Sequence, residues 1–149
     1  MKTSTRKRLE PPPTSSHPVD VGLRTEAAIL AELVRRGYQA LLPFGTNQRY
    51  DLVLDMKGEF VRAQCKTGRL RNGAVIYPTK SVRANTKQVL VRNYVGEVEL
   101  FLVYCPQTGG IYAVPVDEAP EGYGSLRVEP TRNGQAEGVR WARDYELPA

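Results

Sequence analysis

Apolar and polar positions follow two different periods along this chain. From Val21 to Arg36 apolar residues recur at helical spacing, with Leu23, Ala27, Leu30 and Val34 forming a stripe. Asp20 is placed to cap this predicted helix and Gly37 to end it. Glu26 lies beside the stripe, where a carboxylate is costly without a partner or a metal. Beyond Gly37 the period becomes two. Tyr38–Phe44 predicts a first strand. In Arg49–Asp55, Tyr50, Leu52 and Leu54 face one way, and Asp51, Val53 and Asp55 the other. After Met56-Lys57-Gly58, Glu59–Lys66 alternates again: Phe60, Arg62, Gln64 and Lys66 share a face opposite Val61, Ala63 and Cys65. So short a polar turn between two alternating runs predicts an antiparallel hairpin, bringing Asp51 beside Gln64 and Lys66.

Ala74–Pro78 predicts a further strand, and Leu100–Cys105 with Ile111–Val116 a second hairpin around Pro106–Gly110. Thr67–Gly73 reads as a basic loop. Between Lys87 and Arg92 the apolar run Val89-Leu90-Val91 fits helix or strand equally. Leu126–Val128 predicts a short strand, and Val139–Tyr145, with Trp141, a late segment that packs on the core or on another subunit. The expected fold class is α/β (α+β), a mixed central β-sheet flanked by helices, in one domain over residues 19–149. Residues 1–18 carry early cations and Pro11-Pro12-Pro13, a composition that predicts a disordered tail in which His17 is incidental.

A chain of 149 residues with 41% hydrophobic content suffices for one domain with a core. No apolar run could span a bilayer or serve as a signal peptide, so no membrane partner and a cytoplasmic, nucleoid-associated location are expected. Cys65 and Cys105 sit in strand-like runs and read as buried thiols, with no zinc-ligand spacing around either. Net charge is +5, and its distribution says more. Lys57–Arg92 holds nine Lys and Arg against Glu59 alone, whereas from Tyr94 onward four Arg face nine acids. The basic half suits a phosphate surface and leaves the acidic, apolar C-terminal part for contact between subunits.

Cleaving a phosphodiester needs a hard cation held by oxygen ligands, and a cationic side chain near the attacking water or the developing charge. A Glu on a helix, an Asp on one strand and Gln-x-Lys on the next meet these needs. The series Glu26…Asp51…Gln64-x-Lys66 resembles the PD-(D/E)XK nuclease superfamily. It is most similar to the branch of group I intron homing endonucleases in which Gln replaces the middle acid. Tyr50-Asp51-Leu52-Val53, Gln64-Cys65-Lys66-Thr67-Gly68-Arg69, Phe101–Pro106, Ser125–Glu129 and Gly138–Ala142 carry the likeness in order, from about Val21 to the C-terminus.

The resemblance implies a restriction-endonuclease-like core and a metal-dependent DNA endonuclease. Asp51, the Cys65 backbone carbonyl and Glu26 (through water) would hold Mg²⁺, with Mn²⁺ able to substitute. Gln64 would hydrogen-bond water or phosphate, and Lys66 would stabilise the nucleophile and the charge at phosphorus. The substrate implied is double-stranded DNA, and cutting both strands implies a homo-oligomer, dimer or tetramer. Asn47, Gln48 and Arg49 in the loop before Asp51, with Arg69, Arg71, Lys80, Ser81, Arg83 and Lys87, are the candidate DNA contacts. Two alternatives stay open: a Holliday-junction-resolving or repair nuclease with the same site, and a catalytically inactive DNA-binding relative.

Overall fold

Helix α1 (Pro18–Arg35) starts earlier than its pattern predicts, because Pro18 suits a first helical position and His17 caps it. The His17 ring accepts the Val19 N–H at 3.3 Å, a role the sequence assigned to Asp20. The computed structural model describes residues 9–45, 47–84 and 89–148, and of 82–84 and 89–92 the backbone only. Lys87 lies outside the described residues.

The helix buries Thr25, Ile29 and Leu33, not the predicted stripe; Leu23 and Val34 are 65% and 61% exposed. It lies on a five-stranded sheet. In spatial order the strands are β1 (Gln39–Leu41), β2 (Leu52–Met56), β3 (Glu59–Thr67), β8 (Leu100–Cys105) and β9 (Gly110–Pro115). The predicted β2–β3 hairpin is antiparallel, pairing Leu52 with Ala63, and β8–β9 is the second predicted hairpin. Only β3 and β8 run parallel among these neighbours, which makes the sheet mixed and the fold α+β. Ile29 and Leu33 pack on Leu52, Leu54, Ala63, Cys65 and Leu102.

The other face is not covered by a helix, as expected from sequence, but by a smaller sheet. That sheet has β4 (Arg69–Arg71), β5 (Ala74–Pro78) and β10 (Tyr123–Arg127) in the order β10-β5-β4. Val75, Tyr77 and Leu126 meet Phe101, Val103 and Val114 in a second core. The undecided 87–92 stretch resolves into β7 (Val89–Asn93), paired antiparallel with β6 (Lys80–Ala84) as a separate hairpin. The late Trp141 segment packs on its own chain, burying Ala142 and Leu147 and bridging Glu146 to Tyr112. Both cysteines are free and buried.

Candidate active site

The two cores meet where β2 begins and β3 ends. Asp51 stands just before β2, its N–H bonded to the Ala63 carbonyl at 2.9 Å. Its Oδ2 accepts the Cys65 N–H at 2.8 Å, so a side chain rather than a main-chain carbonyl takes that donor. The carboxylate is thereby fixed against the end of β3.

Helix α1 is located on this strand by a hydrogen bond between Thr25 Oγ1 and Thr67 Oγ1 at 2.6 Å. The next residue, Glu26, brings its carboxyl to that of Asp51, within reach of a shared proton. Burial, then the Asp51 charge, pushes Glu26 above the usual carboxylate range. Burial raises Asp51 as well, against the pull of the Cys65 N–H, Glu26 and the Lys66 ammonium. Burial and the two neighbouring acids push the Cys65 thiol far up, so it stays protonated.

Lys66 and Gln64 lie on the opposite face of β3, as the alternation predicts, with Gln64 in register with Phe101. The Lys66 ammonium donates to the Tyr94 hydroxyl at 3.1 Å and stands 4.5 Å from that ring's centroid. Glu26, Asp51 and Lys66 are thus brought together from helix, bend and strand.

The remaining candidates separate by exposure. Asn47 and Gln48 are exposed in the loop before Asp51, Asn47 with a left-handed φ of 66°. Arg69 and Arg71 are exposed on β4, which the sequence read as loop. Lys80 is half-buried near the Tyr123 ring, and Arg83 falls on β6. Arg49 turns inward: it pairs with Glu97, donates to Ser81 Oγ at 2.9 Å and to the Asn93 carbonyl at 2.7 Å, and covers the Tyr94 ring at 4.1 Å. Tyr94, Thr25 and Thr67 were missed by sequence reasoning. The one sequence signal available is the helical spacing of Thr25 with Ile29 and Leu33.

The donor set suits a hard cation: two carboxyls whose mutual repulsion a positive ion would relieve. Among the described residues no group of three or more His, Cys, Asp or Glu is arranged to hold a metal ion by itself.

A structure titled as that of a bacterial homing endonuclease, I-Ssp6803I, superposes with a TM-score of 0.72 over 89% of each chain at 20% identity, a likeness of fold. No curated protein sequence matches. The family model described as PD-(D/E)XK endonuclease matches residues 16–148. With nearly the whole chain matched, from the residues preceding α1 through Pro148, this protein belongs to the PD-(D/E)XK endonuclease family.

Proposed function

We propose that this protein is a metal-dependent DNA endonuclease that cuts both strands at a chosen site, as a group I intron homing endonuclease does. The observation that carries the reading is Asp51, held by the Cys65 N–H and interacting with both Glu26 and Lys66. Asp51, the Cys65 carbonyl and Glu26, directly or through water, would hold Mg²⁺ or Mn²⁺, which supplies charge stabilisation at the phosphoryl oxygens. Glu26, held above the usual carboxylate range by burial and the Asp51 charge, orients the attacking water. Lys66 stabilises the charge that develops at phosphorus. Gln64 brings no charge, so it serves as a hydrogen-bond partner of water or phosphate rather than a second anionic ligand.

Cutting both strands needs two sites, and the reading therefore includes a symmetric homo-oligomer, a dimer or tetramer. The acidic C-terminal part, the expected contact between subunits, leaves Val95, Tyr123 and Val128 exposed, and a second exposed apolar surface lies on β1–β3. Leu41, Leu42, Val53 and Phe60 line an open groove of about 370 Å³ on the face of β1–β3 that the small sheet leaves bare. A specific interface takes about 800 Å² from each partner, so this groove would form the apolar centre of a larger contact. We assign a second copy to it; Phe60→Asp should then shift the sedimentation coefficient toward the monomer.

The deciding experiment incubates wild type, Asp51→Ala and Lys66→Ala with a randomised duplex library in Mg²⁺. Cutting by wild type alone supports the reading. Binding without cutting by all three, in Mg²⁺ and in Mn²⁺, overturns it in favour of a DNA-binding protein.

A further inference from the structure

We infer that Tyr94 is the positioning residue for Lys66, and that Arg49 locks this seat to the β6–β7 hairpin. The inference rests on reading Lys66 as the cation beside the scissile phosphate. A lysine side chain has many rotamers, and ordering it carries an entropic cost unless the site is prepared in advance. Tyr94 is prepared. It is 4% exposed, meets Phe101 edge-on at 5.6 Å and 89°, and its carbonyl accepts the N–H groups of Glu97 and Val98 at 3.0 and 3.2 Å. Its hydroxyl oxygen accepts a hydrogen bond from the Lys66 ammonium at 3.1 Å, and the ring centroid lies 4.5 Å from the same charge. A hydrogen bond fixes direction and the ring quadrupole fixes position, so together they restrict the ammonium to one place.

The same ring carries a second cation. Arg49 lies 4.1 Å from its centroid and ties together Ser81 on β6, the Asn93 carbonyl at the end of β7, and Glu97 in the following turn. The seat of Lys66 is therefore built from the base of the β6–β7 hairpin, not from the β2–β3 hairpin that bears the lysine. That outer hairpin carries Lys80, Ser81 and Arg83. Engagement of a duplex by these residues is thereby linked to where Lys66 stands, through one aromatic ring.

Tyr94→Phe keeps the ring and removes the acceptor; Tyr94→Leu removes both. Three quantities are measured: the ¹H–¹³C resonance of the Lys66 ε-methylene, the single-turnover cleavage rate at saturating DNA, and the DNA Kd. The ε-methylene signal should be displaced by the ring current in wild type and Tyr94→Phe, and return to the exposed-lysine position in Tyr94→Leu. Tyr94→Phe should slow cleavage about tenfold, the loss of one charge-assisted hydrogen bond, with Kd within about twofold. In a Lys66→Ala background neither substitution should slow the residual rate further. An undisplaced Lys66 signal in wild type overturns the proposal. So does an equal fall in rate with Lys66 absent, which would leave Tyr94 a role in folding alone. Should wild type cut no DNA, the resonance still decides the seat, and it is the nuclease reading that fails.

Discussion

Glu26 and Asp51 are two acids crowded at a partly buried point, and the consequence for stability has a definite sign. Both carboxyls bind protons more tightly in the folded chain than in the unfolded one. Their contribution is therefore full below the unfolded pKa and is lost as pH rises through the raised folded values. In metal-free protein, Glu26→Gln should melt higher than wild type at neutral pH, with the gap closing as pH falls through the carboxylate range. Thermal melts from pH 4 to 8 test this, and a gap that does not change with pH would refute the crowding. A cation should act in the opposite direction. Ca²⁺, which tests binding without requiring turnover, should raise the Tm of wild type more at pH 8 than at pH 5 and leave Asp51→Asn unmoved. At a hundredfold excess over Kd the effect is about 2.7 kcal/mol.

Helix α1 shows how far a sequence pattern reaches. It carries two apolar stripes, Leu23-Ala27-Leu30-Val34 and Thr25-Ile29-Leu33, and the pattern alone favours the first because the second contains a threonine. Thr25 is nonetheless buried, since its hydroxyl finds Thr67 on β3, a partner more than forty residues away. Leu33→Ala should accordingly cost about 2–5 kcal/mol in urea denaturation and Leu23→Ala no more than about 0.5. The reverse order would return the sheet to the predicted face. Strands were more legible. The alternation and tight turn around Met56–Gly58 define β2 and β3 without outside help, which is why Asp51, Gln64 and Lys66 could be placed relative to one another. β4 escaped notice because three residues with two arginines look like loop, and β6–β7 because Val-Leu-Val is too short to have a period. The Arg49–Tyr94–Lys66 cluster joins three distant segments and leaves no mark on any one of them. Gly124 is a smaller case of the same kind. It pairs with Tyr77, whose ring lies across it where an added Cβ would fall within 2.2 Å of ring carbon. Gly124→Ala must push that ring out of the core, at a cost of about 1–3 kcal/mol measured by chemical denaturation.

At the scale of the whole molecule, a helix covers one face of the central sheet and a small sheet half of the other, so the site opens where both layers end. Charge is divided along the chain, with net +8 between Lys57 and Arg92 and −5 from Tyr94 onward. The fold then sorts the cations by what they already hold. Arg62 is paired with Glu99 at 2.5 Å, and Arg49 is enclosed by Glu97, Ser81, Asn93 and Tyr94. Arg69 and Arg71 lie exposed on β4, which follows the strand carrying Lys66 after Gly68 and joins the smaller sheet. A cation that neutralises a phosphate releases a counterion, so each such contact adds about 0.9 to the slope of log Kobs against log salt. The Arg69→Ala/Arg71→Ala double variant should therefore lose roughly 1.8 of that slope, measured by fluorescence anisotropy on duplex DNA between 50 and 200 mM salt. Arg49→Ala should weaken binding while leaving the slope intact, because it loosens the β6–β7 hairpin rather than removing a phosphate contact. A slope unchanged by the double variant would move the DNA surface off β4, and a slope reduced by Arg49→Ala would mean that its inner partners release it when DNA binds.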